Sequence, residues 1–353
     1  MAERIISADS HMLVRDERVL AHLEERHHES YRAVMAPTWR PAPVVAKADG
    51  TVDPELRLAA EGRAGEWDPH ERLKDMDVDG VDAEVLYTDT AAGARFYKIE
   101  GDGCLAVFQA FNSAAIEFAS VDRDRLVPVY LLPLHDIDAS IKELQRIANE
   151  GGRAVQLPLY PTDAGLAPYF DTRYEQLWSA IEDVEMPISL HVVPPGGRGL
   201  GRDPTPARGI FQSIPPIFMS QALTEFIVTG TFVRHPKLRV VLVEAGLAWI
   251  PYMLDRLDRV SRKSKWQERG MSLVEPPSYY WHQNMAATFE EDELGLELRH
   301  YIGVDNLFWA TDYPHADSTW PESQKVIHEQ FRDCTTEEMR QMICVNAERL
   351  YHL

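Results

Sequence analysis

Cysteine is scarce in this 353-residue chain, and the three that occur, Cys104, Cys334 and Cys344, form neither a CxxC pair nor an even set. That argues against a disulfide framework and a thiolate zinc knuckle, and it makes a reducing cytoplasm the expected compartment. No run of about 18 apolar residues exists, so no membrane-spanning helix is expected. The opening MAERIISADS has no apolar stretch of signal-peptide length. Basic charge is also short: 36 Lys and Arg against 56 Asp and Glu leave a formal net charge of −20. A nucleic-acid binder would show the opposite balance on at least one face. Much of the acid falls in runs such as Glu290–Glu293 and Glu337–Glu338, which read as solvated helix faces rather than a site for a cationic substrate. The expected partner is a small molecule, with neither nucleic acid nor membrane; a homodimer is plausible on general frequency.

What the chain does have is a repeating alternation. Short β-rich apolar runs occur at Ile5–Asp9, Ala83–Tyr87, Val127–Leu132, Ala154–Leu157, Ile188–His191, Val240–Glu244, Ala286–Phe289 and Leu307–Ala310. Helix-like segments separate them: Glu71–Asp77, Gly103–Val121, Ile137–Glu150, Tyr174–Val184, Ser220–Arg234, Trp249–Arg262, Glu291–Tyr301 and Ser323–Arg332, with a last helix at Thr336–Leu350. Buried strand followed by amphipathic helix, repeated in this way, predicts a parallel (β/α)8 TIM barrel, one α/β domain over residues 1–353. A doubly wound open sheet is the alternative, but the first strand lacks the glycine-rich turn of a nucleotide-binding sheet. Two Pro- and Gly-rich stretches, 35–70 and 194–216, exceed the repeat and follow strands one and five. Loops of that length commonly serve as lids or binding walls, although plain surface insertions have the same composition.

Chemistry-bearing residues gather at the predicted strand ends. In A-D-S-H, Asp9 and His11 are two apart and so share a face, a carboxylate and an imidazole suited to a borderline metal. His191 ends strand five in I-S-L-H. Alone it would read as a hydrogen-bonded core histidine, but active sites of such barrels lie at this C-terminal rim. Asp312 follows strand eight in A-T-D-Y-P-H, either as a ligand or as a cap of the next helix, and His315 shares its loop. Glu244 ends V-V-L-V-E, where an acid is costly to bury unless paired or coordinated. A salt bridge to an arginine would also satisfy it. Six candidate ligands, Asp9, His11, His191, Glu244, Asp312 and His315, exceed the needs of one ion and lead to an expectation of two.

The motifs D-S-H at 9–11, S-L-H ending at 191, F-V-R-H-P-K-L-R-V-V-L-V-E-A-G-L-A-W-I-P at 232–251 and A-T-D-Y-P-H at 310–315 resemble the amidohydrolase-related family of metal-dependent barrels. That family includes decarboxylases and hydrolases of small molecules. The resemblance spans roughly residues 5–350 and implies metal binding by Asp9, His11, His191 and Asp312. The chain departs from the family's decarboxylases at strand six, where Glu244 stands in place of a catalytic histidine. It also lacks the strand-four lysine that bridges two metals in many members of the wider superfamily, since that strand reads R-A-V-Q-L. In carrying Glu244 it is similar to non-heme diiron oxygenases of this fold from terpenoid biosynthesis.

The first functional expectation is therefore a dinuclear, O2-dependent monooxygenase. It would hold two divalent ions, iron before zinc or manganese, and hydroxylate a largely apolar carboxylate or thioester, with Glu244 and Asp312 as catalytic groups. The alternative is a metal-dependent hydrolase or decarboxylase of a small carboxylic substrate, and a non-catalytic binding scaffold is the remote one. Further residues expected to meet substrate are Tyr87, His135, Gln156, Arg198 in the loop after strand five, and Trp320 beyond strand eight. Loop arginines and loop histidines also have ordinary solvated or backbone-bonded roles. His235 and His282 precede strands and belong on the opposite rim, where stability is the better expectation.

Overall fold

The structure, a computed structural model, describes residues 3–35, 62–88, 90–193, 213–269, 273–315 and 318–353. Most of the two expected insertions, residues 36–61 and 194–212, lies outside the described residues, and Arg198 with it. Among the described residues there are nine strand segments: β1 (Ile6–His11), β2 (Ala83–Tyr87), β3 (Leu126–Pro128), β4 (Tyr130–Leu131), β5 (Val155–Leu157), β6 (Ile188–His191), β7 (Val240–Val243), β8 (Met285–Phe289) and β9 (Leu307–Trp309). Every residue of every strand is buried. Such strands are buried on both faces and read as continuous apolar runs rather than as alternation.

All pairings are parallel, in two sheets ordered β1-β2-β3 and β4-β5-β6-β7-β8-β9. The expected third strand, Val127–Leu132, is split in two. Its first half pairs with β2 and its second with β5, through Val129 N–H to Leu86 O at 2.9 Å and Tyr130 N–H to Ala154 O at 3.1 Å. Pro128 at the junction has no N–H to donate. Among the described residues no strand ladder joins β9 to β1. The chain just past β9 makes the connection instead, with Asp312 N–H bonded to Asp9 O at 3.0 Å and His11 N–H to Tyr313 O at 2.5 Å. The result is the α/β parallel barrel architecture expected from the repeat, with its seam between the first and last strands.

Helix positions follow local chemistry. The helix expected at Glu71–Asp77 runs Pro69–Asp79: Asp68 caps it by accepting from His70 N and Glu71 N, Pro69 occupies its first turn, and Gly80 ends it at φ 74°. The helix expected at Ser220–Arg234 is two, Pro215–Val228 and Thr231–Arg234, broken at Gly230, whose φ of 74° a helix cannot contain. Likewise Glu291–Tyr301 divides into Glu293–Glu297 and Arg299–Ile302, and the last helix contains a π-turn at Gln341–Val345. The first connection contains helices Asp16–His22 and His28–Met35, which the sequence pattern did not bring out. No helix among the described residues is long and apolar enough to cross a membrane.

Asp79, at the end of helix Pro69–Asp79, accepts from Ser323 N at 2.9 Å and from Ser323 Oγ at 2.5 Å. Burial nonetheless pushes its carboxyl up to about 6 from 3.8, outweighing those two bonds. A carboxyl raised in the folded state opposes folding above that value and is neutral to stability below its unfolded one. Asp79→Asn should therefore stabilise the protein by on the order of 2 kcal/mol at pH 7.5, with the gain vanishing near pH 4. Urea unfolding at the two pH values tests this, and an equal effect at both would contradict it.

Candidate metal centre

The site is built where β1, β6 and the segment after β9 end. β1 carries a register shift between Ser7 and Ser10 in its pairing with β2. Bulges of this kind re-aim side chains next to functional sites. It brings Ser7 and Ser10 together with Thr311 in a buried hydroxyl cluster, with Oγ–Oγ distances of 2.9–3.1 Å. Ser7 Oγ also donates to Asp9 O at 2.8 Å and accepts from Thr311 N at 2.9 Å. These bonds set the backbone that carries Asp9, His11 and Asp312.

Side chains from the three elements converge. His11 Nε2 lies 3.3 Å from His191 Nε2, 3.1 Å from Asp312 Oδ1 and 3.7 Å from Asp9 Oδ1, and His191 Nε2 is 3.7 Å from Asp9 Oδ1. An ion about 2.0–2.2 Å from each ligand atom would hold neighbouring ligand atoms about 3.0–3.5 Å apart; the 3.1 and 3.3 Å separations are edge lengths of such a shell, and the two 3.7 Å separations to Asp9 lie slightly beyond it. Two observations support the fit. Asp9 is fully buried, and neither of its carboxylate oxygens has a hydrogen-bond partner, a costly state for an anion unless a cation sits beside it. The ring of His191 places Nδ1 3.1 Å from Val192 O. With Nδ1–H donating there, the Nε2 lone pair is turned toward His11 and Asp9, the second contact by which proteins orient ligand histidines.

Two groups of potential ligands result among the described residues: Asp9 with His11 and His191, and His11 with Asp312 and His315. His315 Nδ1 is 2.9 Å from both oxygens of Asp312, and its half-exposed ring lies 4.0 Å from that of His11. Glu244 belongs to neither group. Its Oε2 lies 3.9 Å from His191 Nδ1, the ring nitrogen that contacts Val192 O, and its side chain is 31% exposed. Neither ligand group among the described residues includes the Glu244 that was expected to bridge two ions. The strand also ends one residue before the expectation, at Val243, because Glu244 turns into the left-handed region at φ 56°; Asp312 does the same at φ 55°. Non-glycine residues rarely adopt this conformation, and such residues gather at functional sites.

The electrostatics reflect this crowding. Burial, and then the neighbouring His315, holds His11 well below its ordinary value. For His191 burial pulls down, but Asp9 and Glu244 outweigh it and raise the imidazole to about 9. His315 is raised to about 10 because Asp312 and Glu244 overcome its burial. Loss of solvent, followed by repulsion from Asp312, pushes the Glu244 carboxyl well up.

The remaining expected residues are distributed unevenly. The buried ring of Tyr87 stands edge-on to His191 at 5.3 Å, and its hydroxyl bonds Ser189 at 3.0 Å, so it backs the ligands from inside the barrel rather than walling an open pocket. Gln156 is buried with Oε1 unpartnered. Thr88 Oγ1 and Tyr160 Oη are also buried without partners; Tyr160 was missed in the sequence because a lone tyrosine after a strand carries no signal. His135 is exposed on its loop, with Nδ1 3.5 Å from Cys104 Sγ. Trp320 stacks under Arg63 at 4.2 Å and donates to Asp75 O. At the opposite rim, buried His235 bridges Glu175 and Glu182 at 3.0 Å each, the structural role expected there.

Comparison with known proteins agrees with this architecture. The amidohydrolase family model (Amidohydro_2) matches residues 14–353, and the chain belongs to that family. It is 26% identical over 260 residues to a gamma-resorcylate decarboxylase of a Rhizobium species, covering 69% of this chain and 76% of that one. Decarboxylase orsB of Emericella nidulans is 29% identical over 218 residues, 58% of this chain and 63% of that protein. Among solved structures, an amidohydrolase from Mycobacterium avium subsp. paratuberculosis superposes with a TM-score of 0.75 at 17% identity, covering 99% and 100% of the two chains. A 5-carboxyvanillate decarboxylase from Novosphingobium aromaticivorans, solved with bound manganese, gives 0.73 at 18% identity over 100% and 98%. This is therefore a metal-dependent enzyme of the amidohydrolase superfamily. The two curated relatives and the manganese-bound structure named above are decarboxylases, and the expected preference for oxygen chemistry and for iron finds no support among them.

A divalent ion at 100 times its Kd should stabilise the folded protein by about 2.7 kcal/mol. His191→Ala should abolish that gain. Thermal unfolding with and without Mn2+ or Zn2+ measures both, and an unchanged ion effect in the variant would remove His191 from the centre.

Proposed function

We propose that this protein is a divalent-metal-dependent decarboxylase of a small aromatic hydroxy acid. The observation that carries the reading is the Asp9 carboxylate, without a hydrogen-bond partner beside His11 and His191, with Asp312 against the other side of His11, in a chain whose curated relatives are named as decarboxylases of such acids. Asp9, His11, His191 and Asp312 would hold one ion, and His315 would keep Asp312 in orientation through its 2.9 Å contact. When bound, the ion would neutralise and orient the substrate carboxylate. The donor set of imidazole and carboxylate suits manganese, zinc or iron(II).

The chain's own residues supply the rest. Loss of CO2 leaves an electron pair on the ring carbon, which must receive a proton. Glu244, at the mouth beside His191, is the acid that would donate it to that carbon and be reprotonated from water through its exposed edge. This use of Glu244 accommodates its departure from the histidine of the family's decarboxylases. Gln156 Oε1 and Thr88 Oγ1, buried and unpartnered, would accept hydrogen bonds from ring hydroxyls.

Protein reconstituted with Mn2+, Zn2+ or Fe2+ under argon should release CO2 from one or more hydroxybenzoic acids. Glu244→Gln should lower kcat by about 10²–10⁴-fold while leaving ion affinity within a few-fold. A hydroxylated product that appears only with O2 would overturn the reading in favour of an oxygenase, and hydrolysis of an amide or ester without CO2 would favour the hydrolase.

A further inference from the structure

Outside the ligand cluster, the most unusual side chain is Arg72. It projects from helix Pro69–Asp79 and is wholly buried, 0% exposed. Buried arginines are rare unless paired, and apart from a 3.5 Å contact to the Gly65 carbonyl the partners of this one lead toward the metal centre. Its Nε donates to Glu84 of β2, itself 2% exposed. Its Nη1 donates to the carbonyl of His11 at 2.6 Å. Its guanidinium lies 4.2 Å from the centre of the Tyr313 ring. Tyr313 in turn accepts from His11 N through its carbonyl at 2.5 Å and donates its hydroxyl to Asp75, which Arg63 grips in a two-pronged pair at 2.6 and 3.1 Å.

The location of these contacts gives them their meaning. They fall at the seam where no strand ladder joins β9 to β1 among the described residues, and where His11 and Asp312 must nevertheless stand 3.1 Å apart. Elsewhere in the barrel a run of ladder hydrogen bonds sets the spacing of neighbouring strands. Here the peptide of His11 is held from both sides, its N–H by Tyr313 and its C=O by Arg72, while Arg72 packs on the residue that follows Asp312. One guanidinium therefore touches both elements that carry ligands.

We propose that Arg72, neutralised by Glu84 and stacked on Tyr313, is a positioning residue that holds His11 and Asp312 at coordination spacing and so sets ion affinity. The inference rests on the metal reading above. An arginine suits the task because its planar fork can donate in two directions and stack at once, which a lysine cannot. Contacts of this kind behind metal ligands typically change affinity by about 10–100-fold when removed.

The test is calorimetric titration of the apo-protein with Mn2+ and Zn2+, beside its thermal unfolding without ion. Removing Arg72 alone would strand a buried carboxylate, so the first variant replaces both partners, Arg72→Met with Glu84→Met, an exchange that buried pairs often tolerate. Arg72→Lys is the second variant, keeping the charge beside Glu84 but losing the fork. His235→Ala, at the far rim, is the control for destabilisation remote from the site. The expected result is about tenfold or greater loss of ion affinity in Arg72→Lys, and in the double variant where it folds, with His235→Ala binding as the wild type. Wild-type affinity in folded Arg72→Lys overturns the proposal, as does an equal loss in His235→Ala. If the wild type itself binds no ion, the metal reading fails instead.

Discussion

A carboxylate sealed from water with nothing to hydrogen-bond sets the terms for this protein. Asp9 sits inside the barrel with both oxygens unpartnered, and the two nearest groups are imidazoles that turn their Nε2 atoms toward each other and toward it. Burying an anion in this way is tolerable only with a compensating cation. His191, raised to about 9, supplies part of that compensation, whereas burial and His315 hold His11 low. A divalent ion supplies more of it, in the geometry that the ligand spacings describe.

The demands of the centre are met by unusual construction around it. Ladder hydrogen bonds give way at the seam to a hydroxyl cluster of Ser7, Ser10 and Thr311 on the inside and to Arg72 and Tyr313 behind. Glu244 and Asp312, the acidic residues that follow β7 and β9, are both in the left-handed region. Neither conformation would persist unless the surroundings over-determined it. Here Thr288 Oγ1 accepts from Glu244 N at 2.8 Å, and Asp9 O accepts from Asp312 N at 3.0 Å.

The opposite rim is built on a different principle. Asn284, Asn306 and Asn346 are buried, and each donates to two or more backbone carbonyls near the starts of β7, β8 and β9. His235 is clamped between two carboxylates. These groups are polar and buried, but satisfied, as stability requires. At the mouth, Asp9, Thr88 and Gln156 keep buried polar atoms without partners. The contrast separates groups that hold the barrel from groups available to a ligand, in keeping with the division of labour between the two faces of such barrels.

The barrel was legible in the sequence because its strands are buried on both faces and its helices amphipathic, so each repeat declares itself within about a dozen residues. The residue types at the strand ends, D-S-H, S-L-H and A-T-D-Y-P-H, were equally plain, and they pointed to a metal. Their grouping was not. Glu244 reads as a ligand because an acid ends four aliphatic residues, yet its backbone turns left-handed and its carboxylate lies against His191 Nδ1, outside both ligand groups among the described residues. Arg72 reads as an ordinary helix residue, since nothing local reveals that its side chain crosses beneath Tyr313 to reach the His11 carbonyl 61 residues away. Composition and periodicity act over neighbouring residues, and so the sequence determined the strands, the helices and the donor types by itself. Which donors share one cation depends on backbone turns and on contacts between the two ends of the chain, and only the tertiary structure decides those.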